Sequence, residues 1–192
     1  MKVGVLGLQG DVQEHVRALD LAGATPVVVK RSEQLADVDA LILPGGESTT
    51  IGKLLARFGF LDPTRDRVRR GMPLYGTCAG LISMARTVSG NEPAPHRLEV
   101  MDVTVRRNAY GRQVDSFESE IDVLDWALPL RVAFIRAPAI EAVGDDVEVL
   151  ARHEDAPVLV RQGRLLASTF HPEITGEHRV HELFLELAGS KV

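Results

Sequence analysis

Two short segments carry side chains that could perform acyl transfer together. Cys78, the only cysteine among 192 residues, lies in Gly76-Thr77-Cys78-Ala79-Gly80, and His171 and Glu173 lie in Phe170-His171-Pro172-Glu173. A cysteine framed by glycines where a strand runs into a helix has the pattern of a nucleophile elbow, with sulfur in place of the serine hydroxyl. Small neighbours permit the sharp turn that exposes the side chain, and the positive end of the following helix favours thiolate. A thiol nucleophile needs a base. Residues i and i+2 of an extended segment point to one side, and Pro172 disfavours the helical conformation at His171, so His171 and Glu173 can aim together. A carboxylate beside an imidazole orients the ring and stabilises its protonated form.

Acyl transfer also needs donors for an oxyanion. Pro44-Gly45-Gly46-Glu47-Ser48 is a glycine turn at the end of another apolar run. The backbone N–H of Gly46, with that of Ala79 just after the nucleophile, could form such a hole. Each segment also has an ordinary structural reading: a lone cysteine as a small buried apolar group, His-x-Glu as a loop, the glycines as strand ends. Only the catalytic reading gives the three a joint role.

Other motifs fail on spacing. Gly4, Gly7 and Gly10 do not match G-x-G-x-x-G, and residues 46–53 do not match G-x-x-x-x-G-K-[ST], so no nucleotide site is supported. His178 and His181 lack further ligands at zinc spacing and read as surface histidines, and no metal site is expected.

To converge, these loops must be held by a common scaffold. Residues 3–8, 26–30, 40–43 and 73–77 are short apolar runs alternating with amphipathic ones, the pattern of parallel strands joined by crossover helices. Val12, Val16 and Leu19 mark the inner face of a first helix, and Ser48 or Thr49 can cap a second through Leu54, Leu55 and Phe58. Residues 79–86 read as helical. From about residue 100 the character changes: Val103 and Val105, then 113–121 and 131–135, suggest shorter antiparallel strands extending one edge. Residues 147–150, 158–160 and 165–170 are further strands, with Gln162-Gly163 as a hairpin turn. Val180, Leu183, Phe184 and Leu187 form the buried stripe of a last helix. The expected fold is α/β: three layers, a mostly parallel central sheet with helices on both faces, and an antiparallel edge extension. In such sheets the carboxyl ends of the strands gather the ligand site, so the three loops should meet.

Composition fits one domain spanning residues 1–192. The 22 Lys and Arg against 27 Asp and Glu give a net charge of −5, with no basic run to neutralise a series of phosphates, so nucleic acid is not expected as a partner. No apolar run approaches the ~20 residues that span a bilayer. No basic leader or cleavage site precedes the first strand, and one cysteine cannot form an internal disulfide, so a soluble cytoplasmic protein is expected.

With these residues in view, the chain resembles the class I, triad-type glutamine amidotransferases, and within them the glutaminases that serve pyridoxal 5'-phosphate synthesis. The cysteine elbow and His-Pro-Glu carry the first likeness. Gly4-Val5-Leu6-Gly7-Leu8-Gln9-Gly10, Leu43-Pro44-Gly45-Gly46-Glu47-Ser48-Thr49-Thr50, Arg107-Asn108, Gly111-Arg112-Gln113-Val114-Asp115-Ser116-Phe117 and Phe134-Ile135-Arg136-Ala137-Pro138 carry the second. The stretch 91–97 is less diagnostic and reads as a variable loop. The resemblance implies that Cys78 is the nucleophile, His171 the general base and acid, and Glu173 the orienting carboxylate. It implies that Gly46, Glu47, Ser48, Arg107, Ile135 and Arg136 bind L-glutamine, an arginine fork suiting the α-carboxylate. It further implies no cofactor, ammonia delivery to a separate synthase (lyase) subunit within a large hetero-oligomer, and activation by docking. Two alternatives are a glutaminase serving another synthase, such as imidazole glycerol phosphate synthase, and a non-catalytic binding or redox module using Cys78.

Overall fold

The computed structural model describes residues 1–90, 96–107 and 116–189. Asn108, residues 111–115 of the resemblance motifs, the start of the strand expected over 113–121 and most of the loop expected over 91–97 lie outside the described residues.

Five parallel strands form the centre. β1 (Lys2–Leu6) pairs with β2 (Thr25–Val29) and β3 (Ala40–Leu43); β3 pairs with β4 (Leu74–Thr77), and β4 with β12 (Leu165–Ser168). β10 (Glu148–His153) and β11 (Ala156–Gln162) continue the sheet antiparallel beyond β12, giving the order β10-β11-β12-β4-β3-β1-β2. Gln162 pairs with Leu165, so the β11–β12 turn is Gly163-Arg164, one residue later than the sequence suggested.

Period-two alternation sends successive residues of one strand to opposite cores. Leu41, Leu43, Leu74 and Ala167 pack with Ile51 and Leu55 of α2 (Ser48–Arg57) and with Ala79, Leu81 and Met84 of α4 (Ala79–Met84). Ala40, Ile42, Tyr75 and Leu166 pack the other way, with Leu19 of α1 (Val12–Leu21) and with Val180 and Phe184 of α5 (Arg179–Gly189). Burying each such leucine, isoleucine or phenylalanine contributes about 2 kcal/mol relative to exposure. Because both sheet faces are covered, the strands read as continuous apolar runs. The result is the expected three-layer α/β sheet.

Several details depart from the sequence reading. The strands between residues 101 and 143 do not extend the main sheet. β6 (Met101–Arg106) and β9 (Ala139–Val143) join β5 (Ala85–Ser89) in one small sheet, and β7 (Phe117–Ile121) pairs with β8 (Leu130–Phe134) in another. These pack against the two cores through Met101, Val103, Val105 and Ile140 on one side and Ile121, Leu130, Val132 and Phe134 on the other. The antiparallel edge is made by β10 and β11 instead. The helix expected over 79–86 stops at Met84, where Ala85 turns extended and enters β5. α3 (Leu61–Arg69) was not anticipated: it is mostly charged, with Leu61 and Val68 as its apolar contacts. Asp62–Arg65 and Asp66–Arg69 pairs at i, i+3 brace its outer face.

The glycines around Cys78 serve close approach. A Cβ at Gly76 would lie 2.6 Å from the backbone carbon of Gly80, and one at Gly80 would lie 2.1 Å from the carbonyl oxygen of Leu43. Backbone cannot yield as a flexible side chain does. Gly80→Ala is therefore expected to destabilise the fold by about 3 kcal/mol in urea unfolding, or to drive α4 off β3.

Candidate active site

Four loops leave the carboxyl ends of β1, β3, β4 and β12 on the same side of the sheet and enclose a cleft of about 450 Å³. It is lined by Gln9 and Asp11 after β1, Gly46, Glu47 and Ser48 after β3, Cys78 after β4 and His171 after β12. Ile82, Arg107, Ile135 and Arg136 complete the wall. Every substrate-binding residue expected from the sequence lines it. Gln9 and Asp11 were not singled out as site residues; their signal was position, directly after the first strand, where parallel sheets place ligands.

Cys78 occupies φ 48°, ψ −99°, a region that L-residues seldom adopt, immediately before the first residue of α4. Such strain persists only where the surroundings over-determine it. Here the Cys78 N–H donates to the Ser168 carbonyl at 2.8 Å, tying the elbow to β12. The thiol is largely buried, with Sγ 3.9 Å from the Ile135 carbonyl. Ala79 follows as the first residue of α4, so its N–H is one that the helix itself cannot satisfy.

β12 ends at Ser168, and the chain bends through Thr169 and Phe170 before His171. The His171 N–H donates to the Ala133 carbonyl at 2.8 Å, in an antiparallel bridge with β8. That clamp fixes the imidazole. Its Nδ1 lies 2.8 Å from Glu173 Oε1 and 3.4 Å from Asp11 Oδ2, and Cys78 lines the same cleft. Since the carboxylate can only accept, Nδ1 carries the proton toward Glu173 and Nε2 is left for the thiol. Burial alone would lower the pKa of His171, but hydrogen bonds to Asp11, Cys78 and Glu173 outweigh it and hold the imidazole well above its ordinary value. Burial pushes Glu173 up, against the opposing pull of His171. Donor atoms of Asp11, His171 and Glu173 lie within 4.8 Å of one another, a spacing that cation sites share, yet here the contacts serve to orient the ring.

Space is tight around that ring. A Cβ at Gly45 would lie 2.2 Å from His171 Cε1, so only glycine lets the β3 loop pass. Gly46 adopts φ 150°, and the next peptide N–H, that of Glu47, donates to Gln9 Oε1 at 2.9 Å.

Glu47 corrects the expected helix start. The N-cap of α2 is Glu47, whose carboxylate accepts from the N–H groups of Thr49 and Thr50 at 2.9 and 2.7 Å; Ser48 and Thr49 lie inside the helix. Burial is the largest single influence and raises its pKa, but these bonds and that from the Thr50 hydroxyl together outweigh it and lower the pKa from 4.5 to about 2. A folded pKa below the unfolded one stabilises above the unfolded value and loses that stabilisation as pH falls through the folded one. Glu47→Ala should thus cost about 1 kcal/mol at pH 7, as for other lost caps, and the difference from the parent should shrink between pH 4.5 and about 2. Arg107, which donates to Thr49 Oγ1 at 3.1 Å and lies 3.8 Å from Glu47 Oε1, is anchored to the same turn. Arg136, at φ 45°, is exposed at the rim.

The two histidines near the last helix part company. His178, just before α5, is half-buried, but His181, which the sequence reads as a surface residue, is fully buried and hydrogen-bonded to His15 of α1 at 2.9 Å. Residue 181 falls one position after Val180 on the inward stripe, so the helical register placed it inside.

The architecture recurs in solved proteins. A glutamine amidotransferase crystal structure superposes with a TM-score of 0.92 at 51% identity, covering 98% of this chain and 99% of that one. A chain of the PurLQS structure from Thermotoga maritima, 17% identical with a TM-score of 0.63 over 97% of this chain and 96% of its own, shares the fold. The chain is 56% identical over 186 residues to the pyridoxal 5'-phosphate synthase subunit PdxT of Frankia casuarinae, covering 96% of this chain and 94% of that protein. It is 52% identical over 187 residues to PdxT of Niallia circulans, covering 97% of each. The family model of the SNO glutamine amidotransferases matches residues 5–189, and the chain belongs to that family.

Proposed function

We propose that this chain is the glutaminase subunit of a pyridoxal 5'-phosphate synthase, with Cys78, His171 and Glu173 as its catalytic residues. The observation that carries the reading is the strained Cys78 facing a carboxylate-paired His171 in a cleft large enough for an amino acid. In the reaction, the Cys78 thiolate attacks the side-chain amide carbon of glutamine, and backbone N–H groups near Gly46 and at Ala79 stabilise the oxyanion. As the C–N bond breaks, His171 passes its proton to the departing nitrogen and ammonia leaves. His171 then takes a proton from water, whose oxygen attacks the glutamyl thioester, and glutamate departs as the thiolate is restored. Glu173 keeps the ring in one tautomer throughout. Gly46, Glu47, Ser48, Arg107, Ile135 and Arg136 hold the amino acid, an arginine taking its α-carboxylate.

The ammonia passes to a separate synthase subunit, in a cytoplasmic hetero-oligomer. No helix among the described residues is long and apolar enough to cross a membrane. Docking activates the glutaminase by rearranging the Gly46–Glu47 peptide, whose Glu47 N–H is engaged by Gln9 in the free chain. Glutamate release measured with and without the synthase subunit tests this. Turnover that rises at least about tenfold on adding the partner is expected; equal rates would remove the activation by docking.

A further inference from the structure

The triad leaves a second buried histidine unused. His15 of α1 is fully buried, its Nε2 lies 3.1 Å from Thr77 Oγ1 and 3.5 Å from Glu173 Oε1, and its Nδ1 lies 2.9 Å from His181 Nε2. Thr77 is the residue before Cys78. His15 therefore bridges the β4 end that carries the thiol and the carboxylate that orients the base. Tyr75 meets both imidazoles edge-on, at 6.2 Å from His15 and 5.8 Å from His181, which leaves the rings little freedom.

The direction of the bonds follows from what each atom can do. With a proton on Nε2, His15 offers an N–H to the space between Thr77 Oγ1 and Glu173 Oε1, its bare Nδ1 accepts from His181 Nε2–H, and His181 Nδ1 remains a bare acceptor. With the opposite tautomer, a bare Nε2 lone pair would face the carboxylate, and His181 Nδ1–H would be a buried donor. Among the described residues His181 Nδ1 has no hydrogen-bond partner, and an orphaned donor is the costlier of the two. Burial first, then the neighbouring imidazoles, holds His15 neutral well below its ordinary pKa, and burial lowers His181 to about 4, so both rings keep one proton at neutral pH.

We propose that His15 is a positioning residue for glutamine hydrolysis: its Nε2–H fixes Glu173 Oε1 and Thr77 together, holding the His171–Glu173 pair in register with Cys78. The inference rests on the glutaminase reading. It is tested by the rate at which a glutamine-analogue electrophile alkylates Cys78 in the intact synthase complex. His15→Leu should lower that rate about tenfold, as loss of an outer partner of a reactive group does, while His15→Gln, whose amide nitrogen can take the Nε2 place, should stay within about threefold of the parent. In a Glu173→Ala background His15→Leu should cost nothing more, because the group it acts through is gone. A role confined to packing would instead give equal losses in the leucine and glutamine variants and an undiminished loss in the Glu173→Ala background, and that pattern overturns the proposal. Since a leucine variant could fail to fold, ¹⁵N NMR of the parent supplies a second test. His15 and His181 should both show neutral Nε2–H tautomers at pH 7, and a bare Nε2 on His15 would also overturn it. Absence of any Cys78 labelling in the parent would instead count against the glutaminase reading.

Discussion

Replacing Cys78 with alanine should lower glutamate production by about four orders of magnitude or more, equivalent to about 5 kcal/mol of transition-state stabilisation, without unfolding the chain. The expectation rests on what alanine keeps. It retains the Cβ, the Cys78 N–H bond to Ser168 and the contacts that force φ 48°, and removes only Sγ. Without sulfur no thioester forms, and the cleft can only bind glutamine and offer oxyanion donors, which lower the barrier by far less than the covalent route. Binding should persist, because the lining from Glu47, Arg107 and Arg136 is untouched. Cys78→Gly separates strain from chemistry. Glycine reaches this backbone region without a Cβ penalty, so this variant should be equally inactive yet more stable than the alanine variant by about 1 kcal/mol. Glutamate release by coupled assay and urea midpoints check both halves; substantial turnover by the alanine variant would remove Cys78 as nucleophile.

The sequence made the parallel sheet legible because strands buried on both faces are continuous apolar runs, and residues 40–43 were bounded to the residue. The glycine-framed cysteine and His-Pro-Glu were legible because their chemistry is local: neighbours in sequence are neighbours in the site. What stayed hidden depends on long-range geometry. His15 meets His181 across 166 residues, and nothing in the spacing of either histidine reveals the other. The register of α5 turns one residue of an apparently polar position inward, and only packing against α1 and Tyr75 decides which. α3 was missed because its charged pairs mask a thin apolar face. The sequence shows strands around residues 103–105, 113–121 and 131–135 but not β9, and strand signals do not say which sheet a strand joins; β6 and β9 pair with β5, whose first two residues read as the end of a helix. Glu47 was read as a glutamine ligand, and its capping of α2 shows how one side chain can shape the turn and line the cleft at once.

Glu173→Gln should cost about two to three orders of magnitude in turnover, less than loss of Cys78, and the reason for the difference is Asp11. Glutamine keeps the shape but loses the charge that stabilises the imidazolium, and its NH₂ can turn toward Nδ1 and impose the wrong tautomer. A second carboxylate, Asp11 Oδ2 at 3.4 Å, faces the same Nδ1 and can hold it in part. Asp11→Asn alone should therefore be mild, while the double variant should fall well below either single one, a non-additivity expected of two acceptors serving one donor. The pH dependence has a definite sign. Burial lowers the pKa of His171, and the bonds to Asp11, Cys78 and Glu173 raise it beyond that, so removing one carboxylate must let it fall. A histidine whose folded pKa lies above its unfolded value stabilises the fold in full below the unfolded value of 6.5 and loses that contribution as pH rises through the folded one. In the glutamine variant this loss should begin at lower pH, and the alkaline limb of kcat, where the proton for departing ammonia is lost, should move acidward in the same direction. An unmoved alkaline limb would mean that some other group delivers that proton. Packing works against the variant as well: Glu173 Oε2 is buried without a hydrogen-bond partner among the described residues, so the amide places either its NH₂ there, as a buried donor, or against Nδ1. Both choices weaken the hold on His171, which is why an isosteric change at a residue that does not line the cleft should be felt so strongly in the rate.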